Sequence, residues 1–371
     1  MAYYYTKTSI KMTNLTIAYN MGGLFDQEGQ RGISHLMEHL VCETFKDEYP
    51  ELAKYNVEWN ACTSYDVVKV YFTGLDKYFT PEWKRRLVNK LTGGLKMSKE
   101  RFEAEKKIVL QEYMDCFNEP ANSENIIRQK FGFYSPIGKR EDIEAFTYED
   151  MQAYYEKHMH KPAKIVEVGP TKTDFSAIPM QEEYVVQPMK PKYKKDWKLP
   201  LEPTPENQKC DVSFLSKKAV NKADYPALAI AINMLVNGIE SPMTHEIREV
   251  RHLTYGVSGG TIKFISYAYP TFGATTDKEN KDNLVDAFKF FFDDIEKHLD
   301  KKRFEDMICK IEVDREHDKI FKYANVDKII NKGKIQIGNA YKKLTFEKVV
   351  EIAKKYLKTE NFDIIIESTT T

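Results

Sequence analysis

Two stretches of this chain occur twice. KERFEAEKKIVLQE, starting at Lys99, resembles KKRFEDMICKIEVDRE, starting at Lys301; setting Phe102 against Phe304 gives an offset of 202 residues. FTYEDMQAYYEKHMHKPAKIVEVG, from Phe146, resembles LTFEKVVEIAKKYLKTENFDIIIES, from Leu344, and Thr147 against Thr345 gives 198. Similar segments in the same order at nearly the same spacing imply two related halves, each holding the same elements. A chain of 371 residues accommodates two domains of ordinary size. The joint falls in QPMKPKYKKDWKLPLEPTPENQ, residues 187–208, where repeated proline disfavours helix and periodic apolar residues are scarce. The expected division is therefore 1–186, an extended linker at 187–208, and 209–371.

Within each half the patterns are mixed. Residues 60–75 and 255–276 are β-branched and aromatic and predict strands or hairpins. PEWKRRLVNKLTGG, SKERFEAEKKIVLQEYMDCF and KDNLVDAFKFFFDDIEKHL carry helical spacing, and Gly93 and Gly94 supply a stop after the first. The expected fold class is α+β: two related domains, each a mostly antiparallel sheet with helices covering one face.

Composition narrows the function. Lys plus Arg and Asp plus Glu both total 56, a balance that argues against a nucleic-acid partner. No run of about eighteen apolar residues is present, so no membrane partner is expected. The first twenty residues lack a basic region followed by an apolar one, and read as no secretion signal. Cys42, Cys62, Cys116, Cys210 and Cys309 are scattered and odd in number, which reads as free thiols in a reducing, cytoplasmic setting.

The chain has eight histidines, and GISHLMEHLVC places two of them four residues apart with a glutamate between. On a helix His35 and His39 stack on one face, and Glu38 shares it. Two imidazoles so placed can chelate one metal, and neutral imidazole suits zinc. A carboxylate beside them can take a proton from water. HxxEH is the inverzincin pattern; the competing reading is a chance pair of exposed or capping histidines. A catalytic zinc needs a third ligand from another element. In RFEAEKKIVLQEYMDCF, Glu105, Ile108, Val109 and Glu112 form one helical stripe, and carboxylates sharing a stripe with Ile and Val call for a positive partner. Lys106, Lys107 and Gln111 form the solvated side of the same helix.

At these residues the sequence resembles the M16 zinc metallopeptidases (pitrilysin, insulinase and mitochondrial processing peptidase). That family shows HxxEH and, roughly seventy to eighty residues on, a ligand glutamate preceded seven residues earlier by another. Here Glu112 follows His39 by 73 residues and Glu105 by seven. The resemblance implies that His35, His39 and Glu112 bind one Zn2+, that Glu38 is the general base, and that Glu105 supports the ligand shell. In the second half the counterparts of Glu105 and Glu112 are Met307 and Asp314, and HxxEH is missing. One half kept the metal and the other lost it, as is the family's habit. The implied fold is the LuxS/MPP-like metallohydrolase fold.

WNACTSYD resembles the family's substrate strand, in which Asn60, Ala61, Cys62 and Thr63 offer mostly backbone to an extended peptide. IREVRHLTYGVSGG resembles its second-domain pattern; Arg248 and Tyr255, seven apart with Tyr255 opening a strand, would donate to the substrate carbonyl as negative charge develops there. Arg251 is a nearby decoy. His158 and His160 read as a surface helix end, and Cys42 and Cys116 as small buried thiols. The resemblance runs from about residue 8 to 367 and implies a zinc-dependent endopeptidase, cleaving peptides or unfolded segments within a chamber closed by a homodimer. The alternative is an M16-like binding or structural subunit without activity. A two-metal phosphohydrolase is disfavoured, because the expected Asp and His ligands are lacking.

Overall fold

The computed structural model describes residues 3–94, 97–118, 135–181, 209–263, 266–320, 324–330 and 334–369. The expected linker, 187–208, lies outside them. The described chain gathers into two compact units.

The first unit opens with strands β1 (Tyr3–Lys7) and β2 (Met12–Tyr19), then helices α1 (Ile33–Glu48) and α2 (Pro50–Lys54). A hairpin of β3 (Glu58–Thr63) and β4 (Val68–Leu75) leads to α3 (Pro81–Gly93), α4 (Lys99–Asn118), α5 (Arg140–Ala145), α6 (Tyr148–His158) and β5 (Lys164–Gly169). The sheet order is β1-β5-β2-β4-β3, antiparallel except where β1 runs parallel to β5. Among the described residues this leaves β3 at an edge, with only β4 beside it. Strand alternation sends Leu15, Ile17, Val70 and Phe72 into one core with Leu36, Leu40 and Phe45 of α1, Leu87 and Leu91 of α3, and Phe102 and Val109 of α4. That apolar face places α1 and α4 together over the sheet.

The second unit comprises β6 (Lys209–Ser216), β7 (Val220–Asn221), α7 (Tyr225–Val236), α8 (Pro242–Thr244), a π-helix at His245–Val250, β8 (Ser258–Lys263), β9 (Tyr267–Asp277), α9 (Lys281–Asp293) and, up to Glu316, α10 (Lys301–Ile320). It ends in α12 (Phe346–Tyr356) and β10 (Phe362–Thr369). Its sheet runs β10-β6-β9-β7, with β8 also pairing β9. The core stacks Phe214, Phe272, Phe288, Phe292 and Phe362.

The repeat is carried through to topology. The run β5-β2-β4-β3 in the first sheet matches β10-β6-β9-β8 in the second. Helices α4 and α10 are both 20 residues long, and α6 and α12 are both 11. Thr147 and Thr345 cap the latter pair, each hydroxyl accepting from the backbone N–H three residues on.

One short helix departs from a clean division of the chain into two consecutive halves. Helix α11 (Ala324–Ile330) belongs to the first unit, where Val326 and Ile330 cover Ala18, Val67, Val166 and Val168 on the other face of the sheet. Lys69 pairs with Asp327 at 3.1 Å, and Lys164 donates to the backbone oxygens of Ile329 and Ile330. Burial of these valines and isoleucines removes them from water, which a local reading of residues 209–371 does not anticipate.

Candidate metal centre

The site begins with the turn that starts α1. Gly32 stands at φ +101° ahead of the helix, in a backbone region that disfavours a side chain. The buried Asp26 carboxylate accepts from the Gly32 N–H at 3.0 Å and from the hydroxyls of Ser34 and Tyr154. Ser34 in turn accepts from the Gly22 N–H at 3.0 Å. Leu36, Met37, Leu40 and Val41 are fully buried, so the helix is fixed in rotation, and His35, Glu38 and His39 lie along one flank.

Helix α4 supplies the opposite wall. Phe102, Glu105 and Val109 are buried and Glu112 continues the same stripe, half-exposed. Ile108, expected on this stripe, is instead 50% exposed. The helix is turned so that Val109 takes the core position and Ile108, one residue away, swings outward. Lys106 is partly buried and donates to the Phe146 oxygen at 2.8 Å, while Lys107 and Gln111 face solvent as expected.

The two helices bring three donors together. Glu112 Oε2 lies 3.6 Å from His35 Nε2 and 3.4 Å from His39 Nε2, and the three ligand atoms fall within 4.8 Å of one another. Donors of a tetrahedral zinc with bonds of about 2.0–2.1 Å are separated by about 3.3–3.4 Å. The Glu112–His39 separation matches that spacing and the Glu112–His35 separation is slightly longer. His39 Nδ1 lies 3.3 Å from Glu105 Oε2, so a proton held there leaves Nε2 with its lone pair directed at the cluster. The donor chemistry and the spacing both fit zinc. Among the described residues this is the one His/Cys/Asp/Glu group of its kind.

Electrostatics follow from partial burial. Burial lowers His35 to about 4, which keeps it neutral and available as a ligand. Burial works against charge on His39 too, but the Glu112, Glu105 and Glu38 carboxylates raise it above the usual imidazole range. A hydrogen bond with His39, together with attraction to that imidazole, lowers Glu112 despite its desolvation. Glu38 is raised, chiefly by burial, and its Oε2 accepts from the Thr63 hydroxyl at 2.5 Å. Burial pushes the neighbouring Cys42 up to about 12, so it remains a thiol outside the cluster. The side chain of Cys116 is outside the described residues.

Asn60, Ala61, Cys62 and Thr63 occupy β3, whose outer edge has no neighbour among the described residues. The motif implies mostly backbone contacts for Thr63; its hydroxyl bond to Glu38 is not written in that motif, and the two-residue alternation of the strand is the one local signal for it.

In the second unit the Arg248 guanidinium stands over the Tyr255 ring at 4.7 Å, and its Nε pairs with Glu249 at 3.0 Å. Tyr255 does not open a strand, as expected, but sits in the loop three residues before β8, and is 86% exposed. The π-helix at His245–Val250 and the left-handed backbone of His252 (φ +53°) lengthen this approach to the strand. Arg251 pairs with Glu246 at 2.9 Å and stacks over Phe290. His158 packs on Tyr154, and His160 bonds Glu156 and the Thr92 oxygen, at the end of α6.

Comparisons with known proteins agree with this architecture. Residues 4–133, which contain the cluster, match a family model described as insulinase (peptidase family M16), and residues 145–309 match one described as the peptidase M16 inactive domain. A zinc protease PQQL-like protein of Arabidopsis thaliana is 24% identical over 162 residues, covering 39% of this chain; the match spans only 17% of that relative's length. A protease from Helicobacter pylori superposes with a TM-score of 0.76 at 15% identity, covering 98% of this chain and 96% of that one. The peptidase M16 inactive domain from Pseudomonas fluorescens gives 0.75 at 16% identity, covering 100% and 95%. The periplasmic protease PqqL from Escherichia coli gives 0.68 at 12% identity, covering 99% of this chain and 46% of that one.

Proposed function

From the premise that the chain belongs to the M16 peptidase family, we propose that it is a zinc-dependent endopeptidase of the inverzincin type, acting on peptides or unfolded polypeptide segments. The observation that carries this reading is the convergence of His35, His39 and Glu112 beside the buried Glu38. His35, His39 and Glu112 would hold the ion, with Glu105 fixing the His39 tautomer. Bound there, zinc supplies Lewis acidity, polarising the scissile carbonyl and acidifying water. Glu38 accepts the proton of the attacking water and passes it to the leaving amine nitrogen, so no net proton is lost from the carboxylate. The free edge of β3 accepts an extended peptide by backbone hydrogen bonding along Asn60–Thr63. Tyr255 and Arg248 donate to the carbonyl oxygen as charge develops.

The working form in this reading is a homodimer enclosing a chamber, in which Tyr255 of one chain serves the zinc of the other, and its compartment is the cytoplasm, where the free cysteines stay reduced. The second reading, a peptide-binding subunit without turnover, draws on the inactive-domain model matched by residues 145–309. One experiment separates them. Zinc content is measured by atomic absorption, and cleavage of a quenched fluorescent peptide is followed with and without a chelator and in Glu38→Gln. The enzyme reading expects about one zinc per chain, chelator-sensitive cleavage, and a loss of at least about 10²-fold in E38Q with zinc retained. Appreciable cleavage by E38Q removes Glu38 from the scheme, and an inactive zinc-loaded wild type favours the binding subunit.

A further inference from the structure

We propose that Thr63 is a positioning residue for Glu38, holding the proton-carrying carboxylate from the same strand along which an extended peptide pairs; this rests on the reading of Glu38 given above. The Thr63 hydroxyl donates to Glu38 Oε2 at 2.5 Å, the Thr63 backbone N–H adds a weaker contact to the same carboxylate, and no other described residue hydrogen-bonds to it. Hydrogen bonds to an ionised acceptor are short and stronger than neutral ones. With Oε2 so held, the carboxylate keeps one orientation for taking the proton of water.

Thr63 is itself fixed from two sides. It is the last residue of β3, opposite Val68, and the turn behind it closes with Ser64 N–H donating to Val67 O at 2.9 Å. The oxygens of Ser64 and Tyr65 then accept from Gly23 and Leu24, in the loop that leads into α1. That loop approaches so closely that a Cβ on Gly22 (φ +136°) would lie 2.2 Å from the Ser64 oxygen. The same loop carries Asp26, which holds Ser34 in the first turn of α1. Strand end and helix are therefore tied to each other twice, once through backbone and once through the Thr63–Glu38 bond. Alternation puts Trp59, Ala61 and Thr63 on one face of β3, and of these it is Thr63, at the end of the strand, whose side chain bonds Glu38. A peptide docked along β3 would thus take its register from the strand that also orients the base.

The test compares Thr63→Val, which keeps shape and β-branching but removes the hydroxyl, with Thr63→Ser, which keeps the hydroxyl. Both are made in the full chain and assayed zinc-loaded on the quenched fluorescent peptide, with zinc content and melting temperature measured for each. The expected result for T63V is a kcat about 10- to 100-fold lower, with KM within about twofold, full zinc and a cooperative melt. T63S should stay within about threefold of wild type, because the donor is kept. A T63V kcat equal to wild type overturns the proposal, as does a T63S enzyme as impaired as T63V or a change confined to KM. If valine prevents folding, Thr63→Ala replaces it under the same criteria. An inactive wild type refutes the peptidase reading and this inference with it; an active wild type with an unaltered T63V refutes the inference alone.

Discussion

Removing Glu105 tests the metal centre at a residue that contributes no ligand. Glu105 is 4% exposed, and its Oε2 stands 3.3 Å from His39 Nδ1. Glu105→Ala deletes the acceptor that fixes the His39 tautomer and leaves the three donors in place. Loss of such a partner typically costs about 10- to 100-fold in metal affinity, or about 1.4–2.7 kcal/mol. The apo protein should not suffer equally, because there Glu105 contributes only its His39 contact against the cost of burying a carboxylate. The expected pattern is therefore asymmetric. Zinc affinity, measured by competition with a chromogenic chelator at fixed pH, falls by one to two powers of ten, while the metal-free melting temperature changes little. At saturating zinc the metal-dependent part of the stability shrinks by about 1.4 kcal/mol for each tenfold loss. Glu105→Gln, whose amide oxygen still accepts from Nδ1–H, should fall between. A dissociation constant for E105A within about twofold of wild type refutes the argument that this carboxylate supports the ligand shell.

Two further outcomes are expected. Mixing E38Q with Tyr255→Phe should restore peptide cleavage if chains exchange and share sites across a dimer; a mixture as inactive as its parents shows that each chain serves itself. Gly22→Ala should destabilise by about 1–3 kcal/mol in denaturant titration, since its Cβ would meet backbone rather than a flexible side chain at φ +136°; an unchanged midpoint shows that the loop 22–26 relaxes freely.

Much of the candidate centre was legible because its parts are local. His35, Glu38 and His39 lie within one and a half helical turns, and Glu105 and Glu112 within two. Helical periodicity alone places each set on a face. It misplaced Ile108, because the stripe as read spans two adjacent positions, and only packing against α1 decided that Val109 turns inward and Ile108 outward. Tyr255 was read as strand from its β-branched and aromatic neighbours, but the pairing of β8 with β9 starts only at Ser258.

By itself the amino-acid sequence determined the twofold repeat, the helical and strand periods, and the residue types able to hold zinc. The repeat shows when the chain is compared with itself, and the rest is written within one or two turns, where covalent geometry fixes which side chains share a face. Only the tertiary structure decided what stands opposite each face. Lys84, on a helix whose neighbours are charged, is fully buried against Glu167 at 2.8 Å. Helix α11 packs on the first sheet although it lies in the second half of the chain. Thr63 reaches Glu38 across 25 residues of sequence. Such pairings depend on strand register and on how helices settle over a shared core, and no local pattern carries that information.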